Sequence, residues 1–305
     1  MHNAELSILL HRALEARVGV LLDALAVPGW QQAAEPLHEV RVASRRLRAV
    51  LDLVDPGLYP AFKRQQRRLK RLTRALGLTR ELDVHLGLLE DLERTLPQPE
   101  PATALEHALE AVAKDLDRAR SALARDLERV SLKGLATLLE VPSLPNPFAG
   151  ADLAQGIWGC LEPGLRSATE AIAGLLDQED PPALHALRIR IKRLRYALEI
   201  LAPGFPSRPE AQLRHLKALQ GALGNHHDRA TLEAFLQDLD KGLAQRNRVH
   251  LARGLQAGIA LLGEERLLAF EHFRALALGQ GLRTLTADLK RDLGLTPDPE
   301  GNDLP

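Results

Sequence analysis

The sequence predicts an all-α fold made of two copies of one helical unit, and three observations predict it. Leu and Ala dominate an apolar fraction of 45%, β-branched residues are sparse and aromatics make up only 3%, a mix that favours helix over strand. Apolar residues recur at helical spacing almost everywhere, interrupted by clusters of proline. A set of residue matches then recurs without a gap at a separation of 147 positions.

The periodicity predicts helices over 4–26, 37–54, 61–95, 103–139, 153–177, 183–201, 209–240 and 245–291, with room for a break in the fourth and the eighth. Pro56-Gly57 and Pro60 stop the second helix and start the third, and Pro97, Pro99 and Pro101 form a stiff connection to the fourth. The densest run of breakers is Val141-Pro142-Ser143-Leu144-Pro145-Asn146-Pro147, where we expect the domain boundary. The expected units are a first bundle over 1–140, a linker over 141–152, a second bundle over 153–293 and a disordered tail over 294–305.

The repeat begins with Leu37-His38-Glu39-Val40-Arg41, matched by Leu184-His185-Ala186-Leu187-Arg188. In the same register Arg45-Arg46-Leu47-Arg48 meets Lys192-Arg193-Leu194-Arg195, and Pro56-Gly57 meets Pro203-Gly204. Arg67, Leu69, Lys70 and Leu72 meet Arg214, Leu216, Lys217 and Leu219, and Leu76-Gly77 meets Leu223-Gly224. Two copies of one helical unit predict two bundles related by an approximate two-fold axis.

The repeated helices carry segregated charge. With about 100° per residue, Arg41, Arg45 and Arg48 fall within roughly 80° of His38, while Val40, Leu47, Leu51 and Val54 gather on the opposite side. His185, Arg188, Lys192 and Arg195 repeat this stripe, with Arg46 and Arg193 on the flanks. On the next helix Lys63, Arg67, Lys70 and Arg74 share one line, and Arg64, Arg68 and Arg71 form a second beside it. Lys63 to Arg80 holds eight basic residues and no acidic one. The second copy keeps Arg214 and Lys217 but has Glu210 in place of Lys63, so it should be the weaker half.

Most charged helical faces alternate in sign, because opposite charges three or four residues apart stabilise the helix. These faces stack like charges, which costs a few tenths of a kcal/mol per pair, so something else must neutralise them. One source is the neighbouring acidic segment, since 81–130 holds twelve acids against six bases. The other is a bound polyanion. Net charge is zero, with 40 basic and 40 acidic residues, which argues against a generic nucleic-acid binder. The basic helices also lack the aromatics on which bases stack: Tyr59 and Tyr196 are the only tyrosines, and Trp30 and Trp158 lie outside the stripes. Charge without base readout fits a ligand that is all phosphate, onto which guanidinium groups fork.

These residues resemble the CHAD domain family, named for its histidines and α-helices. The pattern H-x-x-R-x-x-x-[RK]-R-L-R stands here twice, as His38–Arg48 and His185–Arg195. The basic helix that follows, a Leu-Gly turn at Leu76-Gly77 and Leu223-Gly224, Arg80-Glu81-Leu82-Asp83-Val84 and Asn225-His226-His227-Asp228 extend the resemblance over nearly the whole chain before the tail. The resemblance implies two four-helix bundles around a basic central cavity. It also implies binding of inorganic polyphosphate and association with polyphosphate granules. The residues expected to bind are His38, Arg41, Arg45, Arg46, Arg48, Lys63, Arg67, Lys70, Arg71, Arg74, His185, Arg188, Lys192, Arg193, Arg195, Arg214, Lys217 and His227.

No catalytic role is expected, because no nucleophile–base pair, glycine-rich phosphate loop or paired-carboxylate motif stands out. No cofactor or metal is expected either: Cys160 is the only cysteine, and no H-E-x-x-H pattern occurs. His226 and His227 are adjacent, so on a helix they point apart and should not share an ion. His38 and His185 are open to phosphate contact, structural hydrogen bonding, phosphotransfer or metal ligation. A histidine-phosphotransfer module and a nucleic-acid-binding helical module are therefore the competing readings. Met1–Arg17 lacks the pattern of a secretion signal and no stretch is long and apolar enough for a membrane span, so a cytoplasmic protein that shuns membranes is expected. Oligomeric state is not legible in the sequence.

Overall fold

In a computed structural model the described residues are 4–54, 60–129, 151–279 and 281–296. Among them are nine α-helices and no strand. The helices are α1 (Ala4–Ala26), α2 (Ala34–Leu53), α3 (Pro60–Thr95), α4 (Pro99–Arg129), α5 (Leu153–Ala173), α6 (Pro181–Leu201), α7 (Glu210–Gln245), α8 (Val249–Gly279) and α9 (Leu282–Asp292). A 3-10 turn, Ala202–Gly204, follows α6. None of the described helices is long and apolar enough to cross a membrane.

Helix ends follow local chemistry. Asp180 caps α6 by accepting from the Ala183 amide at 3.1 Å, and Pro181 occupies the first turn where its missing N–H is harmless. Asp152 caps α5 through the Gln155 amide at 2.8 Å. Asn247 adopts the left-handed conformation (φ 59°) between α7 and α8, which ends the first and redirects the chain into the second.

Three expectations need correction. The Leu-Gly pairs are not turns: Gly77 lies inside α3 and Gly224 inside α7. Each lies beside an arginine in a continuous helix, as described below, rather than at a chain reversal. The break allowed for in the helix over 245–291 is present, between α8 and α9, but the helix expected to end at 240 runs on as α7 to Gln245. The helix expected over 103–139 starts earlier, at Pro99, because proline is tolerated in a first turn. Its stretch 130–139, the breaker run 141–147, Pro56-Gly57, Tyr59 and most of the tail (297–305) lie outside the described residues.

The buried side chains form two cores. The larger gathers α1, α2, the first half of α3, α5, α6, the first half of α7, the end of α8 and α9 around Leu10, Leu47, Leu72, Leu187, Leu219 and Phe273. The smaller joins the second half of α3, α4, the second half of α7 and the first half of α8 as four helices around Leu89, Leu105, Leu236 and Leu255. Each core draws on both halves of the sequence. This is possible because α3 and α7 are each 36 residues long, about 54 Å at 1.5 Å per residue, and so run through both cores. Equivalent helices also meet in pairs, α1 with α5, α2 with α6, α3 with α7 and α4 with α8. At the last of these contacts α8 comes so close that a Cβ on Gly254 would stand 2.5 Å from the Glu100 carbonyl oxygen.

Candidate functional site: a shared cluster of cations

Packing the apolar faces of α2 and α6 into the larger core turns their basic faces toward α3 and α7. Val40, Leu47 and Leu51 on α2 are wholly buried, as are Leu187 and Ile191 on α6. On the other side, Arg41 donates from Nη1 to the Leu76 carbonyl of α3 at 2.6 Å. Its guanidinium lies over Gly77, where a Cβ would stand 3.7 Å from Nη1. The second copy repeats this contact: a Cβ on Gly224 of α7 would stand 3.7 Å from Arg188 Nε. A Cβ at either position would make ordinary van der Waals contact with the arginine, and a longer side chain would compete with it for space.

The two basic stripes converge. Arg188 of α6 lies near enough to Arg41 and Arg45 of α2 to disfavour their charged forms, and all three act on Lys192 of α6 in the same sense. Burial first, then Arg45, Arg188 and Arg41, push the Lys192 ammonium down to about 7. Burial, with Arg45, Arg188 and Arg80, lowers Arg41 to about 10. Desolvation disfavours a charge, and like charges at short range add to that penalty. Among the described residues no carboxylate lies within 4 Å of a nitrogen of Arg41, Arg45, Arg188 or Lys192. Arg188 Nε is buried with no hydrogen-bond partner, and so is His38 Nδ1.

The histidines sit at one end of each stripe. His185 meets His227 of α7, Nδ1 to Nδ1, at 3.1 Å. Burial and Arg188 hold His227 down at about 4. His38 is lowered by burial and then by Arg80 of α3. Arg80 stands 147 positions before His227, so both histidines face the same site on the following helix, filled once by arginine and once by histidine. Asp228 is the carboxylate at the centre: burial raises its pKa, and Arg188, Arg80, Arg229 and Arg41 all oppose that rise. Arg80 and Asp228 belong to motifs that carry the family resemblance but are not among the residues expected to bind, although the register that selects His227 also points to Arg80.

Other expected residues lie elsewhere. Arg195 is held by an ion pair with Glu199 and by a bond from Nε to Gln220 Oε1 at 2.9 Å. Arg48 and Arg193 lie beside Asp52, whose pKa burial raises and both arginines lower. Arg46 turns toward Arg17 of α1. On α3, Lys63, Arg67, Lys70, Arg71 and Arg74 are exposed, as are Arg214 and Lys217 on α7. His226 points away from its neighbour, as their adjacency on a helix requires. It bonds Glu179, which also pairs with Arg266, itself bound to Glu233 at 2.8 Å. Four acids of the acidic segment pair within it, Asp83 with Arg120 at 3.5 Å, Asp91 with Arg94, Glu110 with Lys114 at 3.9 Å and Asp115 with Arg118 at 2.9 Å, whereas Glu81 favours the charged form of Arg41. Among the described residues no three His, Cys, Asp or Glu side chains gather as a metal site would require.

The fold and site together define an all-α protein whose repeated His-Arg helices meet across a common cationic centre. The family model described as CHAD domain matches residues 12–237, and the chain belongs to that family. Two solved structures share the architecture. PptA from Streptomyces chartreusis superposes with a TM-score of 0.66 at 19% identity, covering 88% of this chain and 98% of its own. The CHAD domain from the plant Ricinus communis superposes with a TM-score of 0.60 at 25% identity, covering 98% of this chain and 95% of its own. No curated protein matches the sequence.

Proposed function

We propose that this protein is a non-catalytic binding module for inorganic polyphosphate. The central cluster is its site, in two halves related by an approximate two-fold axis. The observation that carries the reading is Lys192, crowded by Arg41, Arg45 and Arg188 with no described carboxylate within 4 Å. Such an arrangement is unfavourable until an anion supplies the missing countercharge. Guanidinium groups pair with phosphate oxygens, and a polyanion engages many at once. The hydrogen bond to the Leu76 carbonyl holds Arg41 in place before a ligand arrives, which limits the ordering cost of binding. His38, Arg80, His185 and His227 extend the ligand set on either side. Arg195 is left out of it because Glu199 already neutralises it. Within a cell the protein would collect on polyphosphate granules.

Aromatic-poor basic helices favour an all-phosphate polymer over nucleic acid. The test is a calorimetric titration with long-chain polyphosphate, repeated with duplex DNA and single-stranded RNA as competitors at equal phosphate concentration. Displacement by polyphosphate of itself but not by nucleic acid is expected. Equal competition by DNA or RNA would contradict the assignment.

A further inference from the structure

The converging stripes hold one primary amine among guanidinium groups. The repeat sets Lys192 of α6 against Arg45 of α2, so the two copies match in charge there but differ in chemistry. Leu187, Ile191 and Leu194 fix that part of α6 in the larger core. Lys192 itself is half-buried, with Arg45, Arg188, Arg41 and Arg193 bearing on it and no described carboxylate within 4 Å. A guanidinium keeps its proton in a protein and so has no free lone pair to offer. An amine becomes a nucleophile once it is deprotonated, and desolvation beside other cations brings that about. Burial and the neighbouring arginines hold the Lys192 ammonium down to about 7, whereas a solvated lysine keeps its proton to about 10.4. Lys63, Lys70, Lys114, Lys217 and Lys241 are all exposed.

We propose that Lys192 is a modification site for acyl phosphates, small molecules that join a carboxylic acid to phosphate as a mixed anhydride, and that its acylation switches the central cluster off. The arginines select among acylating agents for one that carries its own phosphate, because guanidinium groups dock phosphate oxygens. Docking would raise the effective concentration of the carbonyl carbon at Nζ. The Nζ lone pair adds to that carbon, and charge developing on the carbonyl oxygen is stabilised by the guanidinium groups. The bond from carbon to the bridging phosphate oxygen then breaks. Phosphate leaves with the electron pair, and the proton released by Nζ passes to it. The product is an uncharged amide, which relieves the like-charge crowding and deletes one cation from the site. The switch rests on the reading that the cluster binds polyphosphate, whereas the acylation needs only the amine and its arginines. Bound polyphosphate would occupy the arginines and return Lys192 to its charged form, so a filled site resists modification and an empty one is open to it.

The experiment incubates the full chain with acetyl phosphate near neutral pH and follows acetylation of each lysine by peptide mass spectrometry. Lys192 should react about tenfold or more faster than the exposed Lys114, Lys217 and Lys241. Saturating long-chain polyphosphate should slow Lys192 and leave those three unchanged. In the double variant Arg41→Gln and Arg188→Gln, which relieves the crowding and removes the phosphate dock, Lys192 should slow toward the rate of the exposed lysines. Treatment with acetyl phosphate should then lower the polyphosphate affinity of the unaltered protein by about tenfold. Lys192→Arg keeps a cation that cannot be acylated in this way, and treatment should change its affinity by less than about twofold relative to its own untreated value. The proposal is overturned if Lys192 reacts no faster than the exposed lysines, if the arginine variant reacts as fast as the unaltered protein, if bound polyphosphate fails to protect Lys192, or if treatment weakens Lys192→Arg as much as the unaltered protein. Selective acetylation in a protein that binds no polyphosphate would sink the functional reading and the switch together. Polyphosphate binding by a protein whose Lys192 is inert would sink the modification site alone.

Discussion

His185 and His227 face one another through their Nδ1 atoms at 3.1 Å. One proton can sit between the rings, but two imidazolium ions cannot hold that geometry, because each Nδ1 would then be a donor. Arg188 and Lys192 crowd the same pair. The free protein therefore keeps His227 neutral down to about 4, and Lys192 gives up its proton near 7. Bound polyphosphate would reverse both effects, since a nearby anion favours the cationic form. Binding should take up protons near neutral pH, and affinity should fall as pH rises from about 6 to about 8. Calorimetry at one pH in buffers with different ionisation heats measures that uptake directly. Binding heats that do not depend on the buffer, with affinity constant over this range, would contradict the account.

The same shifts fix the sign of the acid response of the free protein. His227 and His85 are both lowered to about 4 from an ordinary 6.5. Between those values the unfolded chain binds protons that the folded chain refuses, so these groups make stability fall as pH drops from about 6.5 to about 4. Melting temperature should decline across that window, and polyphosphate should reduce the decline.

Arg195 separates charge from function. It belongs to the basic stripe by sequence, yet Glu199 and Gln220 hold it. Arg195→Gln should leave polyphosphate affinity within about twofold while lowering stability by about 1–3 kcal/mol, the usual cost of leaving a half-buried partner unpaired. A loss of affinity as large as that of Lys192→Gln would place Arg195 in the site after all.

Glycine positions test the geometry that presents the arginines. Gly77→Leu or Gly224→Leu would push Arg41 or Arg188 out of place, since a Cβ alone already comes within 3.7 Å. Polyphosphate affinity should drop about tenfold, equivalent to about 1.4 kcal/mol, and circular dichroism should show the helices intact.

Gly254 tests the packing of α8 on α4. Gly254→Ala would bring a methyl group to 2.5 Å from the Glu100 oxygen and 2.7 Å from Ala104 Cβ. The helix-propensity gain of about 0.5–1 kcal/mol is outweighed by an overpacking cost of about 1–3 kcal/mol or more. A lower midpoint in urea unfolding is expected. Gly221→Ala, in open space, should instead stabilise by about 0.5–1 kcal/mol.

Much of this was legible in the sequence because the signals were local. Prolines and apolar spacing located most helix boundaries, and the apolar residues expected to face the core from α2, Val40, Leu47, Leu51 and Val54, are all buried. The all-α class followed from composition, and the CHAD resemblance followed from a motif repeated in one register. The rest depended on tertiary contact. A glycine after a leucine suggests a turn, whereas Gly77 and Gly224 lie within continuous helices beside Arg41 and Arg188. Arg195 and Glu199 are four residues apart, a spacing at which opposite charges pair, yet the like-charge stripe groups Arg195 with the binding cations. Periodicity does not tell that a 36-residue helix serves two cores at once.

The most direct test of the central claim is calorimetric titration of long-chain polyphosphate into a variant that neutralises the converging cations: Arg41→Gln, Arg45→Gln, Arg188→Gln and Lys192→Gln. The variant should fold, because the apolar faces of α2 and α6 that enter the larger core are untouched. Its affinity should fall by a factor of about 100 or more, on the order of 3 kcal/mol. A folded variant that binds polyphosphate as tightly as the unaltered protein would contradict the account.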